Sequence, residues 1–498
     1  MKIQLISARM LLKLNRRILG LLLTGVFIVI FANFYNYNFS QKDPKDTFLL
    51  IIEGAVFNLQ SKPRGISKVW HHLLEQLSTS PNIPFARSLC SNSSSDVVYK
   101  IVYIDKSPKS FSSRHFANLR VKCPDSSSKQ AITIYKMGSS LENVVQQIIT
   151  TTLSPEKKNL IFYISTYYDY PDFRDFPQIC YLLMVHDLMP EDWMNGPPPP
   201  HSEFYPRVAA LSHVSSIVSV SEATSRDLFK WYSNLIQPNL HLWEELGYPA
   251  QTSHKIDNGT IISTVSLSCD HRIYKGTPNQ EELNRFLYSK RIFFKYFLFV
   301  GWRRGTDKLF QALDILPAEL VDHIGVLAIG SDKLEKEAAA NLKRHKFSTN
   351  CEKSYYSPTK IEAATICIAQ FEYPTDEEKY FFMAGSLAVT YISYLEGFGL
   401  PVLEALCSGT FVITVNTSSL PEAGGQEAPF FLRVDHSISE LAEIVRRIIT
   451  MSSEDRGRII DLGFKHVAKI GSWERAAVEF TQHLHSTKHR HQKCYIAK

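Results

Sequence analysis

The stretch AVTYISYLEGFGLPVLEAL, residues 388–406, decides how this chain is read. An apolar run gives out near Tyr394, a glycine-containing turn follows, and Pro401 stands at the expected first position of a helix, where its fixed φ fits and its missing N–H costs nothing. TFVITV (410–415) is another buried strand immediately after it. Such alternation builds a parallel sheet whose ligand lies beyond the carboxyl ends of the strands. Gly397 and Gly399 remove side chains where the backbone turns and where a ligand approaches closely, and the free amides opening the next helix carry a partial positive charge suited to phosphate. Glu396 lies just before the turn and Glu404 one turn into the helix, so both carboxylates reach one crevice. Carboxylates accept from pairs of hydroxyls, so bare amides with two acids suit a ligand that is part diphosphate and part sugar. Turn chemistry without a ligand is the plainer reading of the glycines and the proline.

Outward from that turn, the pattern repeats. YFLFVG (296–301), the run from Ile324 to Gly330 and TICIAQ (365–370) are buried strands of the same unit, and Arg303 with Lys308 follow the first of them at the equivalent edge, as phosphate-binding cations or as solvated surface. An earlier unit opens with FLLIIEGAVF (48–57), a continuous apolar strand of the kind buried on both faces. Its loop leads through Gly65 into ISKVWHHLLEQL, where Ile66, Val69, Trp70, Leu73, Leu74 and Leu77 share one helical face. Further strands are expected at 97–104, 159–165, 179–185 and 214–220; Gly196 and the prolines 197–200 mark a loop. Residues 248–292 lack a sustained period and read as the connection between units. The expected division is a leader over 1–17, an apolar anchor over 18–34, a stem over 35–47, a first Rossmann-like domain over 48–292, a second over 293–470, and a helix and tail over 471–498.

The 498 residues are 44% apolar and 21% charged, which is globular composition. The formal charge is +6, but Lys2, Arg9, Lys13, Arg16 and Arg17 supply five of those positives, leaving +1 on the body, so the charge distribution gives no footprint for nucleic acid. The uncharged run Ile18 to Phe34 behind this leader reads as a membrane anchor, and the positive flank places the N-terminus in the cytoplasm and the bulk of the chain opposite. If the cell is eukaryotic that orientation is of the Golgi type; an enzyme tethered to the membrane and facing the cytoplasm is the alternative. Sequons stand at Asn38, Asn92, Asn258 and Asn416, the last beside the expected crevice, where a glycan would obstruct. Eight scattered cysteines without a C-x-x-C pair argue against a zinc ribbon and are not expected to form a disulfide framework.

EGFGLPVLE (396–404) resembles the E-x7-E signature of family 4 glycosyltransferases (glycosyl transferases group 1), retaining enzymes of the two-domain GT-B fold. The similarity extends through Cys407-Ser-Gly409 and TFVITVNTSSLPEAGG (410–425), back into TDEEKYFFMAGSLAVTYIS (375–393), and to FLFVGWRRGTDK, VSVSEATSRDLF (218–229), RGISKVW (64–70) and MVHDLMPEDW (184–193). GSWERAAVEFTQHL (471–484) resembles the family's C-terminal helix, which crosses back onto the first domain.

The resemblance implies an α/β architecture of two doubly wound domains facing a cleft. It implies that Glu404 holds ribose hydroxyls and Glu396 hydroxyls of the transferred sugar. Arg303 (with Arg304 adjacent) and Lys308 would grip the diphosphate, while Gly397, Phe398, Gly399, Leu400 and Gly65 face the donor. His186 would contact the sugar from the opposite domain, making Glu396 and His186 the candidates at the reacting centre. No Asp-x-Asp occurs, and the resemblance implies no metal and no cofactor beyond the nucleotide-sugar co-substrate. The implied activity is transfer of mannose, glucose or a similar hexose to a glycan, lipid-linked or protein acceptor. Retention without a nucleophile would use the leaving phosphate as proton acceptor. A glycoside hydrolase with Glu396 and Glu404 as its carboxylate pair, or a non-catalytic glycan-binding protein, are the competing functions.

Overall fold

The computed structural model describes residues 46–58, 65–90, 97–106, 111–123, 127–153, 158–187, 214–231, 261–301, 305–330, 334–349 and 364–490. The leader, the apolar run 18–34, the stem to residue 45, Arg303, Arg304, the prolines 197–200 and the sequons at Asn38, Asn92 and Asn258 lie outside the described residues. Among the described residues no helix is long and apolar enough to cross a membrane.

The first unit is built on β1 (Asp46–Glu53), β2 (Val98–Asp105), a small antiparallel pair β3 (Arg120–Lys122) and β4 (Ser128–Gln130), then β5 (Thr133–Lys136), β6 (Lys158–Ser165), β7 (Ile179–Val185), β8 (Ser216–Ser219) and β9 (Ile261–Thr264). Its seven-stranded sheet has the order β5-β2-β1-β6-β7-β8-β9, parallel throughout. β1 shows why a continuous apolar run is needed. Phe48, Leu50 and Ile52 enter one buried cluster while Leu49 and Ile51 enter another, because successive side chains point to opposite faces and both faces are covered. Helix α1 (Ile66–Thr79) lays Val69, Trp70, Leu73, Leu74 and Leu77 against the first cluster, and α2 (Glu222–Trp231) follows β8.

The second unit contains α3 (Gln280–Ser289), β10 (Lys295–Val300), α4 (Thr306–Ile315), β11 (Ile324–Ile329), β12 (Lys346–Ser348), β13 (Thr365–Phe371), α5 (Asp376–Ala384), β14 (Ala388–Tyr391), α6 (Leu400–Cys407), β15 (Val412–Val415), α7 (Leu420–Gly424) and β16 (Phe430–Leu432). Its order, β12-β13-β11-β10-β14-β15-β16, is again parallel, and the strand order reverses between β10 and β14. A ligand crevice belongs at that reversal. The expected boundary at 292/293 falls too late. α3 lies in the stretch read as a connection, yet Phe286 stacks on Phe381 of α5 at 4.9 Å and meets Phe382 at 5.0 Å, so it packs as part of the second unit.

The units are joined through segment 265–279 and by α8 (Trp473–Arg490), which returns to the first unit. Trp473, Phe480 and Leu484 join the cluster that holds residues of both sheets, and the Ser268 hydroxyl donates to Gly471 O at 2.8 Å where the two crossings meet. The cysteines correct the sequence expectation. Cys90 pairs with Cys123 and Cys269 with Cys407, and Cys180 and Cys367 are disulfide-bonded as well, so every described cysteine is bonded. Partners 33 and 138 residues apart leave no spacing motif to find.

Candidate active site between the two sheets

The loop between β14 and α6 occupies the strand-order reversal of the second sheet and presses against the carboxyl end of the first. A Cβ on Gly397 would lie 1.6 Å from the His186 carbonyl oxygen at the end of β7, an approach only glycine permits. The Gly397 carbonyl accepts from the hydroxyls of Ser221 (2.6 Å) and Thr224 (3.0 Å), at the start of α2. Gly399 sits in the left-handed region at φ 93° and caps α6, with Leu420 occupying the place of its missing Cβ; Pro401 takes the second position of the helix. Phe398 is buried and Leu400 half-buried.

Glu396 is held from behind. Its amide donates to Ser418 Oγ at 3.2 Å, its carbonyl accepts from Ser418 (2.7 Å) and Ser419 (2.9 Å), and its side chain accepts from the Tyr391 hydroxyl at 3.0 Å. Ser418 is the hydroxyl residue of the sequon at Asn416, so its oxygen is already used in fixing this backbone. Two residues earlier, Tyr394 contacts the ammonium of Lys308, which also lies 3.4 Å from His436 Nε2 and 5.0 Å from the Tyr394 ring centre. The structure thus brings Lys308 to the loop; the position of Arg303 lies outside the described residues.

Glu404 is in the interlobe gap and 2% exposed. Its two oxygens are engaged separately: Oε1 by Lys68 of α1 at 2.8 Å, Oε2 by Lys379 of α5. Lys68 also donates to Asp376 at 2.8 Å and lies over the Tyr274 ring, 5.6 Å from its centre. Burial pushes the Glu404 carboxyl up, but Lys379 and Lys68 outweigh it and hold it down at about 2. Burial disfavours charge on Lys68 as well, and Glu404 and Asp376 more than restore it, whereas for Lys379 burial prevails and its pKa is lowered. Lys68 is therefore the firmer cation of the two. The expectation of a carboxylate open to ribose meets one already bound across the lobes.

His186 is buried at the end of β7, edge-on to Trp70 at 6.2 Å, and it is its carbonyl rather than its ring that meets Gly397. Gly65 caps α1 with φ 49°, exposed, with nothing near its missing Cβ. Two functional contacts went unread in the sequence. One is Lys68; the other is Glu422 in α7, whose carboxylate accepts from the amides of Glu222 (2.8 Å) and Ala223 (2.7 Å), capping α2 of the opposite unit. Pro421-Glu422 was legible as a motif, but a helix cap supplied 199 residues away leaves no local trace. Among the described residues, two groups come within reach of a common ion: Cys269, His271 and Cys407, in which the cysteines are bonded to each other, and His71, His72 and Glu75, in which Glu75 takes a double ion pair from Arg272 at 2.6 and 2.9 Å.

Comparison with known proteins gives this geometry its context. Residues 286–466 match the family described as glycosyl transferases group 1. The chain is 29% identical over 106 residues to an MMP alpha-(1->4)-mannosyltransferase of Mycolicibacterium hassiacum, 21% of this chain and 26% of that protein. It is 43% identical over 53 residues to the O-antigen chain mannosyltransferase B of Escherichia coli, 11% of this chain and 14% of that one. The matches thus span about a quarter or less of the curated relatives' length. The whole fold is similar to a glycosyltransferase from Rickettsia africae (TM-score 0.54, 13% identity, 89% of this chain and 99% of that one). It is also similar to Anabaena Alr3699/HepE in complex with UDP and glucose (TM-score 0.54, 11% identity, 88% and 99%). The two doubly wound units are a GT-B-like fold.

Proposed function

We propose, from the premise that residues 286–466 are a glycosyl transferases group 1 domain, that this chain moves a hexose from a nucleoside diphosphate sugar to a glycan, lipid-linked or protein acceptor, with retention at the anomeric carbon. The observation that carries the reading is the Glu396–Gly399 loop, which sits at the strand-order reversal of one sheet and touches the carboxyl end of the other, where a substrate meets both units. In this role the amides opening α6 and the Lys308 ammonium stabilise the departing diphosphate. Glu396, with its backbone fixed by Ser418 and Ser419, accepts hydroxyls of the hexose, and Glu404 accepts those of the ribose. The acceptor binds on the first unit near His186, and closure of the lobes excludes water. The leaving phosphate receives the acceptor's proton.

Glu404, held down at about 2, would also fit the ionised member of a hydrolase's carboxylate pair, so the two readings are separated by the donor: a hydrolase cleaves a simple glycoside without any nucleotide sugar, and a transferase does not. The bonded cysteines support an oxidising compartment for the folded part, which agrees with a membrane anchor at 18–34 whose positive leader stays in the cytoplasm. Glu404→Gln is expected to weaken nucleoside diphosphate binding, and Glu396→Ala to lower transfer more than nucleotide affinity, measured by calorimetry and by radiolabelled sugar transfer. Unchanged binding and transfer in both folded variants would remove the assignment.

A further inference from the structure

The charged cluster around Glu404 is assembled from three separate places in the fold. Glu404, Lys379 and Asp376 belong to the second unit. Tyr274 lies in the connecting segment, which is fastened to the end of α6 by the Cys269–Cys407 bond and by the Gly276 amide donating to Cys407 O at 3.0 Å. Lys68 alone comes from the first unit, in the opening turn of α1. With one ammonium on each oxygen and almost no exposed surface, the carboxylate offers no open face to a hydroxyl. For a ribose to reach it, one lysine must leave. Lys379 travels with Glu404 on the same unit, so the lysine that leaves is Lys68, carried away when the lobes part.

We propose that Lys68 is a positioning residue that acts as a nucleotide-exchanged latch: its ammonium holds the lobes together through Glu404 and Asp376, and the ribose hydroxyls of a nucleoside diphosphate take its place on Glu404. This rests on the reading that Glu404 is the ribose carboxylate. The cluster tolerates the exchange because Lys379 stays to compensate the buried acid and Asp376, 42% exposed, is solvated when its partner withdraws. Lys68 therefore opposes binding of the nucleotide while favouring the closed lobes in its absence.

The test uses the full chain with UDP, GDP and ADP as calorimetric probes. Lys68→Met keeps the length of the side chain and removes the charge. It is expected to bind its preferred nucleotide roughly tenfold more tightly than the wild type, since the hydroxyls no longer displace a charge-assisted bond. Lys68→Arg should restore the weaker affinity toward the wild type, which a loss of packing alone would not allow. Unchanged or weaker binding by a folded Lys68→Met chain, with Glu404→Gln abolishing binding, overturns the latch and leaves the ribose assignment standing. Binding unaffected by Glu404→Gln removes the ribose assignment itself. Absence of binding by all three nucleotides to both wild type and Lys68→Met overturns both; binding by Lys68→Met alone supports the latch.

Discussion

Replacing Gly397 by alanine should separate the two units at the lip of the cleft. Its backbone is not in the left-handed region, so the substitution carries no conformational strain and acts by contact alone. The added Cβ would lie 1.6 Å from the His186 carbonyl oxygen and 2.7 Å from its carbon, and because those are backbone atoms no rotamer relieves the overlap. Restoring an ordinary contact requires the loop to withdraw by about 1.5 Å. The hydroxyl bonds from Ser221 and Thr224 to the Gly397 carbonyl, now 2.6 and 3.0 Å, would then exceed 4 Å, and two such bonds contribute about 2 kcal/mol together. The closed arrangement would lose roughly thirtyfold in population. The withdrawal propagates, because Ser418 and Ser419 tie the Glu396 carbonyl to the segment bearing Glu422, which caps α2. Hydrogen exchange at the Glu222 and Ala223 amides is therefore expected to accelerate, with sugar transfer falling at saturating donor. Exchange and transfer both equal to wild type would show that the lobes do not rest on Gly397 in solution.

Glu422→Ala removes the cap directly; exchange of the same two amides should accelerate roughly fivefold, corresponding to about 1 kcal/mol, and unchanged protection would discount the cross-lobe cap. Acid should destabilise the chain in two stages. His71 and His72 are held neutral by burial, at about 3 and about 4, so folding excludes protons that the unfolded chain binds, and stability is lost as pH falls below about 6.5. Glu404, depressed from the usual 4.5 to about 2, adds a loss on the order of 3 kcal/mol below pH 4.5. Melting temperatures that stay flat from pH 7.5 to 4 would contradict the first stage. Cys407→Ser opens the bond to Cys269 and should cost about 2–5 kcal/mol of unfolding free energy, read by denaturant titration under non-reducing conditions; an unshifted midpoint would argue that the bond is not formed.

Both sheets were legible because parallel strands covered on two faces must be apolar without interruption, as 48–52, 179–185 and 296–299 are. The same physics hides the short edges: β9 and β12 have four and three residues, too few to show a period. α3 was missed because its apolar face is only Leu283, Phe286 and Leu287, of which Leu283 alone is fully buried, so its stripe is too short to stand out. The EGFG loop was found from its glycines and its two acids. What those acids touch was not, because Lys68 is 336 residues from Glu404, and a lysine in the first turn of an amphipathic helix reads as solvated. The cysteine pairs failed for the same reason: a bond between Cys269 and Cys407 is fixed by the meeting of the connecting segment with the end of α6, which only the fold brings about.

Opening of the cleft has a direction set by which contacts water can replace. On the connecting side lie a covalent bond, Cys269–Cys407, and the apolar burial of Trp473, Phe480 and Leu484, each such side chain contributing about 1.5–3 kcal/mol that is lost outright if it is exposed. At the lip lie hydroxyl-to-carbonyl bonds and a helix cap, whose groups are satisfied by water once parted, so each contributes only about 1 kcal/mol net. The lip is therefore expected to yield while the connection holds, as a rotation about segment 265–279. Lys68 rests on Tyr274 of that segment, close to the axis, whereas Gly397 meets the ends of β7 and α2. On the proposed reading of the site, a small rotation would free the Glu396–Gly399 loop before it separated Lys68 from Glu404, so the sugar end of a donor would enter ahead of the exchange at its ribose.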